Sequence, residues 1–140
     1  IWVQKDYELQ SMVECQPGKL NQVFINILHN AAQAVKAKSG SGGTLTIRTW
    51  GHKDRACIGI RDTGIGMSEA TRKRVFEPFF TTKNVGEGTG LGLSIAFGII
   101  EAHKGEITVE SAEGLGTEFV ISLPLVQTEQ PLLLAAVEAE

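Results

Sequence analysis

Apolar residues recur at helical spacing in two long stretches of the chain. The first stretch runs from Lys19 to Lys38. Its apolar positions are Leu20, Val23, Phe24, Ile27, Leu28, Ala31 and Val35. The second runs from about Leu91 to about His103, and Gly105 follows where a C′ glycine would end the helix. A shorter helix is predicted from the N-cap Ser68 through Phe76, since Pro78 cannot continue it.

Apolar and polar residues alternate in most of the remaining chain, a pattern typical of half-buried strands. The predicted strands are Thr44–Trp50, Ala56–Arg61, Glu106–Ser111 and Thr117–Leu123. Residues 1 to about 15 also indicate an extended segment, which ends at the turn Gln16–Gly18. The order β–α–β–β–α–α–β–β predicts an α+β fold with a mixed sheet and its helices packed on one face. Residues 1–124 would form this domain, and residues 125–140 are predicted as a tail of unknown structure.

Composition narrows the possible classes of protein. The 140 residues, 42% of them hydrophobic, suffice for one domain with its own core. A net charge of −3 without a basic stripe disfavours nucleic acid as a partner, and no apolar run is long enough to span a membrane. Cys15 and Cys57 lack metal-site spacing, and we expect buried thiols in strand-like segments of a protein kept in a reducing compartment. Because the chain does not begin with Met, we expect a fragment of a longer protein.

Four alternating glycines mark the segment Gly86–Gly92, directly before the second long helix. The free N–H groups of such a loop and the positive end of the helix dipole favour an anion, and phosphate is the expected ligand. The segment lacks the Gly-Lys-Ser/Thr ending of a P-loop, and it does not fit the dinucleotide fingerprint. On its own, the pattern is equally compatible with a linker.

Asn26, Asn30 and Gln33 lie within about 60° of one another on the first helix, away from its apolar face. A solvated face is the plain alternative. Because Asn is a mediocre helix former, two of them one turn apart favour a function. Amide oxygens suit Mg²⁺, which keeps most of its waters and shares phosphate oxygens.

Asp62 ends a predicted strand and begins a glycine-containing turn, Asp62–Met67. A carboxylate in this place can accept a hydrogen bond from an amino group on a base, and Gly64 and Gly66 would let a flat ring approach the backbone. An Asx-turn at the strand end is the alternative interpretation, and the motif alone does not choose between them.

Five blocks together resemble the catalytic ATP-binding domain of sensor histidine kinases, in the wider family that includes gyrase-type and Hsp90-type ATPases. The blocks are Asn26–Ala31, Asp62–Gly66, Phe76–Lys83, Gly86–Gly92 and Gly116–Phe119. The resemblance covers roughly residues 17–124, and Asn-Ala-Ala-Gln-Ala with Phe-Phe-Thr-Thr-Lys is similar to the nitrogen-regulation type of kinase. The resemblance implies a two-layer α/β sandwich, the Bergerat fold, with a mobile ATP lid.

The same resemblance implies ATP and Mg²⁺ as ligands. Asn30 would bind Mg²⁺, Asn26 would line the phosphate end, and Lys83 in the lid would reach the γ-phosphate. Asp62 would accept from the adenine amino group, and Thr117 would help to hold the base through water. The implied nucleotide-binding residues are Asp62, Gly64, Gly66, Gly88, Thr89, Gly90, Leu91, Gly92 and Thr117.

Two residues depart from the family pattern. Gln33 stands where many relatives carry a basic residue, so one phosphate contact is either missing or moved to Lys83. Asn26 stands where the ATPase branches carry a Glu that activates water, and Asn cannot act as a base. The departure favours phosphoryl transfer to a partner over hydrolysis.

The function implied is donation of the γ-phosphoryl group to a histidine on a separate dimerisation and phosphoacceptor domain, in two-component signal transduction. The expected partners are that helical domain, within a dimeric kinase, and a response regulator, without nucleic acid or membrane contact by this domain. His29, His52 and His103 are not convincing phosphoacceptors. We expect a bacterial cytoplasmic domain, whose full-length protein is either free or membrane-anchored. The alternatives are an anti-sigma-factor-type serine kinase of the same fold and a nucleotide-gated module without transfer activity.

Overall fold

A single sheet and three helices account for the regular structure of the computed structural model, which describes residues 1–38, 42–82 and 90–127. The strands are β1 (Trp2–Tyr7), β2 (Thr44–His52), β3 (Arg55–Asp62), β4 (Glu106–Ala112) and β5 (Gly116–Pro124). The helices are α1 (Pro17–Ala37), α2 (Glu69–Arg74) and α3 (Gly92–Ala102). The predicted order of elements is confirmed, with ends that shift by a few residues.

The sheet has the strand order β1-β2-β3-β5-β4. β1 runs parallel to β2, and the other three pairs are antiparallel, so the sheet is mixed, as predicted. The core lies between this sheet and α1 and α3, where Val23, Ile27, Ile100 and Ile121 are fully buried. The helices cover one face of the sheet, and the predicted α+β architecture is confirmed.

Phe76 belongs to the edge of this core. Its ring centroid lies 5.2 Å from that of Phe97 and 6.1 Å from that of Phe119. Aromatic pairs at these separations stabilise packing beyond their buried area. The helix that precedes Phe76 ends earlier than predicted, at Arg74, and begins where Ser68 accepts a hydrogen bond from the Thr71 N–H.

The first strand differs most from its prediction. Only Trp2–Tyr7 forms a strand, at the edge of the sheet, and all six of its residues are exposed. Cys15 was expected in a strand but lies outside the strands and is half-buried, whereas Cys57 is buried in β3 as predicted. Within the described ranges, no helix is long and apolar enough to cross a membrane.

The C-terminus of α3 has a different cap from the one predicted. The left-handed residue is Lys104, with φ 59°, and not Gly105. The Gly105 N–H donates to Ile100 O, and the Lys104 N–H donates to Glu101 O, which together form a Schellman motif. Gly105 has a separate reason to lack a side chain, because a Cβ there would lie 2.6 Å from Ser122 O.

His103 joins the end of α3 to the start of α1. It is only 4% exposed, with Nδ1 2.8 Å from Ile99 O and Nε2 accepting from the Gln16 N–H at 3.1 Å. A ring nitrogen that accepts an N–H is unprotonated, so the ring is neutral and Nδ1–H donates to Ile99 O. The Gln127 side chain also donates to His103 O, at 2.6 Å.

Candidate nucleotide site

At one end of the sheet, each of three neighbouring strands carries a polar residue where its series of inward-facing apolar residues stops. Asp62 follows Ile60 in β3, Thr117 precedes Phe119 in β5, and Ser111 lies in β4. The strand register pairs Asp62 with Thr117 and Thr117 with Ser111. These three side chains, here called the polar row, therefore lie side by side at one end of the sheet, on the face that carries the helices.

The Asp62 carboxylate is the charged member of the polar row. It is 3% exposed, and it accepts hydrogen bonds from the Gly64 N–H at 2.8 Å and from the Thr117 N–H. Burial raises the pKa of the Asp62 carboxyl above its ordinary value, and the two backbone donors offset part of that rise. The Asx-turn considered as an alternative is present, and it coexists with a desolvated acceptor whose remaining lone pairs suit an additional donor.

Ser111 is a site residue that sequence reasoning missed. Its hydroxyl accepts from the Met67 N–H at 2.8 Å, donates to Gly116 O at 2.9 Å and lies 2.8 Å from Thr117 Oγ1. The signal that could have found it is the alternation of β4, in which Ile107 and Val109 lead to a serine at the next inward position. A polar residue where the pattern expects an apolar one indicates a specific hydrogen-bonding role.

The segment 62–67, here called the Asp62 turn, is held between α1 and the β4–β5 hairpin. Ile65 donates its N–H to Ala34 O of α1 at 3.1 Å and accepts from the Gly114 N–H at 2.7 Å. Gly64 lies directly against the backbone of Ala34. Gly66 has φ +68°, and a Cβ there would overlap the carbonyl oxygen of Ala112. Sequence reasoning assigned both glycines to the approach of a ring, and the structure adds a second reason for glycine at each position, the neighbouring backbone on its Cβ side.

The side chains of Asn26, Asn30 and Gln33, here called the amide stripe, follow one side of α1, and the stripe contacts α3 at Asn26. Asn26 donates from Nδ2 to Gly92 O at 2.9 Å, which ties α1 to the first residue of α3. Asn30 is half-buried one turn further along and also has a partner. Among the described residues, Gln33 Oε1 is buried with no hydrogen-bond partner. The stripe is therefore half-buried, and the solvated-face alternative does not describe it.

Gly90, Leu91 and Gly92 lead into α3. Leu91 is the N-cap residue, and its carbonyl oxygen accepts from the Ile95 N–H at 2.9 Å and from the Ser94 hydroxyl at 3.0 Å. Gly90 O accepts from the Phe79 N–H at 2.8 Å, so the chain returns at Gly90 to the place it left at Phe79. The first N–H groups of a helix have no partner inside it and favour an anion.

Three predicted site residues, Lys83, Gly88 and Thr89, lie outside the described residues, as does most of the predicted lid, which was expected from Phe79 to Gly90. The predicted tail lies outside them from residue 128 onward. In and just after α2, Arg72 pairs with Glu69 and Arg74 pairs with Glu77.

The placed site residues form two groups that α1 connects. The polar row and the Asp62 turn lie at the level of Ala34, and the start of α3 lies at Asn26. At 1.5 Å of rise per residue, the two levels are about 12 Å apart along the helix axis. A nucleotide can bridge such an extent, with its base at the buried carboxylate and its phosphates at the helix N-terminus.

The sequence of the chain matches a known protein family. Residues 15–127 match the family described as histidine kinase-, DNA gyrase B- and HSP90-like ATPase. The chain belongs to this ATPase family. Membership in it implies that the domain binds ATP, and the resemblance seen in the five sequence blocks is confirmed.

Two curated relatives are kinases. The chain is 48% identical over 118 residues to sporulation kinase E of Bacillus subtilis (strain 168), a match that covers 84% of this chain and 15% of that protein. It is 45% identical over 121 residues to the signal transduction histidine-protein kinase AtoS of Escherichia coli (strain K12), covering 86% and 19% respectively. The chain therefore spans less than a fifth of the length of either relative.

Solved structures share the fold. The nucleotide-free catalytic domain of histidine kinase ThkA superposes with a TM-score of 0.75 at 30% identity, over 90% of this chain and 80% of that one. Full-length ShkA in complex with AMPPNP superposes with a TM-score of 0.73 at 25% identity, over 90% and 26%. The fold is that of the catalytic domain of sensor histidine kinases.

Proposed function

We propose that this domain binds Mg-ATP and donates the γ-phosphoryl group to a histidine on a separate helical phosphoacceptor domain of the same dimeric kinase. A response regulator would be the further partner, and the bacterial cytoplasm is the proposed compartment. The observation that carries the proposal is the buried Asp62 carboxylate, held beside Thr117 about 12 Å along α1 from the N-terminus of α3.

Asp62 is the proposed determinant for adenine. An ionised carboxylate only accepts hydrogen bonds, and the 6-amino group of adenine donates two. Guanine carries a carbonyl at the same position, so two acceptors would face each other. An unpaired buried acceptor costs on the order of 1–3 kcal/mol, and more when it is charged. Gly64, Gly66 and Thr117 would border the base around this contact.

The phosphates are proposed to lie at the start of α3. Backbone N–H groups at Gly90, Leu91 and Gly92 lie at the start of α3, a helix of 11 residues whose dipole favours negative charge at this end. From the family resemblance, Gly88, Thr89 and the ammonium group of Lys83 would complete the contacts.

Asn30 is the proposed Mg²⁺ ligand. The described ranges contain no group of three or more His, Cys, Asp or Glu side chains that could hold a metal ion without the nucleotide. A neutral amide oxygen fits a hydrated Mg²⁺ that arrives with phosphate oxygens. When bound, the ion would neutralise charge on the phosphates.

Transfer, and not hydrolysis, is the proposed reaction. Asn26 has no basic atom, and its amide nitrogen donates to Gly92 O, which positions α3 against α1. His103 is buried with both ring nitrogens engaged, so it cannot act as a nucleophile. Since the sequence context of His29 and His52 does not favour them as phosphoacceptors either, the acceptor histidine would come from the partner domain, and this domain would position ATP for it.

The test is to incubate the chain with γ-labelled Mg-ATP and a panel of helical hairpins that carry a phosphoacceptor histidine. We expect an acid-labile, alkali-stable label on one hairpin and none on the chain alone. Asp62→Ala should abolish labelling and calorimetric ATP binding, whereas Asp54→Ala, which removes an exposed acid before β3, should change neither. An acid-stable label on serine, or ATP binding that survives in Asp62→Ala, would refute the assignment.

A further inference from the structure

We propose that Ser111 determines the selectivity of the base site by fixing the Thr117 hydroxyl as a hydrogen-bond acceptor. The inference rests on the proposed function, in which Asp62 and Thr117 face a purine base. Ser111 would be a positioning residue, since it would act on the ligand only through Thr117.

The hydrogen bonds of Ser111 leave one arrangement of protons. A serine hydroxyl has one hydrogen and two lone pairs. Gly116 O is a carbonyl and can only accept, so the hydrogen of Ser111 goes to it over 2.9 Å. One lone pair accepts from the Met67 N–H at 2.8 Å. The remaining lone pair faces Thr117 Oγ1 at 2.8 Å, and Thr117 must be the donor of that bond.

Both donor hydrogens of Thr117 are therefore engaged within the protein. Its hydroxyl hydrogen is used by Ser111, and its N–H is used by the Asp62 carboxylate. What Thr117 Oγ1 still offers is its two lone pairs. The base end of the polar row then presents only acceptors, the carboxylate of Asp62 and the hydroxyl oxygen of Thr117.

Two adjacent acceptors select a ligand group with two donor hydrogens. The 6-amino group of a purine is such a group, acting directly or through a water that donates to Thr117. A 6-oxo purine places another acceptor at this point. If the Thr117 hydroxyl were free to rotate, it could donate to a 6-oxo group and weaken the discrimination, and Ser111 prevents that rotation.

The experiment compares ATP with ITP, which carries a 6-oxo group in place of the 6-amino group. Calorimetric affinities give the ATP/ITP ratio for the wild-type chain, Ser111→Ala, Thr117→Val and the double variant. We expect Ser111→Ala to lower the ratio about tenfold, the equivalent of one oriented hydrogen bond. Thr117→Val should lower it similarly, and the double variant should lower it no further, because Ser111 acts through Thr117.

Two further variants serve as controls. Ser122→Ala removes the serine hydroxyl that accepts from Arg55 Nε on the other face of β5, and it should leave the ratio unchanged. Ser111→Thr keeps the hydroxyl and should keep the ratio. If Ser111→Ala does not fold, Ser111→Cys, a weaker donor of similar size, takes its place.

Ser111 would be only a structural anchor of the Asp62 turn if its loss weakened ATP and ITP binding equally. Additive losses of the ratio in the double variant would also overturn the proposal. A wild-type chain that bound neither nucleotide would instead refute the proposed function, and the inference with it.

Discussion

The contact between the Asp62 turn and the β4–β5 hairpin can be tested by adding one methyl group. Gly66 has φ +68°, and a Cβ at this position would overlap the carbonyl oxygen of Ala112. The left-handed backbone alone costs an L-residue about 1–2 kcal/mol. Because a backbone carbonyl cannot swing away, the turn would also have to leave the hairpin.

The magnitude follows from the bonds that this movement breaks. Two hydrogen bonds from the turn to the hairpin flank Gly66, Gly114 N–H to Ile65 O at 2.7 Å and Met67 N–H to Ser111 Oγ at 2.8 Å. Each contributes about 1 kcal/mol net. Gly66→Ala should therefore lower the free energy of unfolding by about 3–4 kcal/mol, or the melting temperature by roughly 6–16 °C.

Substitutions at two other glycines separate the cost of the left-handed backbone from the cost of the overlap with Ala112. Gly114 has φ +80° with open space around it, so Gly114→Ala should show the backbone strain alone, about 1–2 kcal/mol. Gly98 lies within α3, also in open space, and Gly98→Ala should stabilise the domain by about 0.5–1 kcal/mol.

Urea unfolding, followed by far-ultraviolet circular dichroism, measures all three variants. The expected order of stability is Gly98→Ala, wild type, Gly114→Ala and then Gly66→Ala. If Gly66→Ala cost no more than Gly114→Ala, the turn would not lie against Ala112 and the site geometry derived from it would be wrong.

Two more predictions concern buried titratable side chains. Burial raises the pKa of Asp62 above its ordinary 3.8, so its stabilising effect is complete below pH 3.8 and is lost as the pH rises through the folded-state pKa. Relative to Asp62→Asn, the unfolding free energy of the wild type should fall as the pH rises through that window, by at most about 1.4 kcal/mol per pH unit, and parallel curves would refute it. His103→Leu leaves the Gln16 N–H unpaired and should cost about 1–3 kcal/mol in urea unfolding. The exposed His52→Leu should change stability by less than about 0.5 kcal/mol, and equal losses would contradict the bridging role of His103.

Local sequence pattern predicts the helices and strands that bury one face, because the buried positions then repeat with the period of the element. Leu20, Val23 and Ile27 repeat at helical spacing because all three are buried under α1, so the repeat marks the core face directly. β1 has no buried residue, and it is a strand because it pairs in parallel with β2. Because α1 separates β1 from β2 along the chain, a local sequence pattern carries no information on that pairing.

The candidate site also contains residues that the sequence could predict and residues that it could not. Asp62 and Thr117 could be found because they lie in glycine-containing blocks with a family resemblance. Ser111 lies in an ordinary strand, and its importance comes from Met67 and Gly116, which only the folded chain brings to it. Gly66 was predicted to border a ring, but the steric reason for glycine there could not be predicted, since the carbonyl that excludes a side chain belongs to a distant hairpin.

The hydrogen bond between the Phe79 N–H and Gly90 O has a consequence for how this domain can diversify. It joins the two ends of the segment 80–89 through backbone atoms alone. The entropy of closing a loop grows only logarithmically with its length, by about 0.6 kcal/mol for each doubling. A longer or shorter connection between Phe79 and Gly90 would therefore change the free energy of this closure only slightly. The described part of the domain, with the core contacts of Phe76 and the first turn of α3, can thus accept connections of different length at little cost in stability.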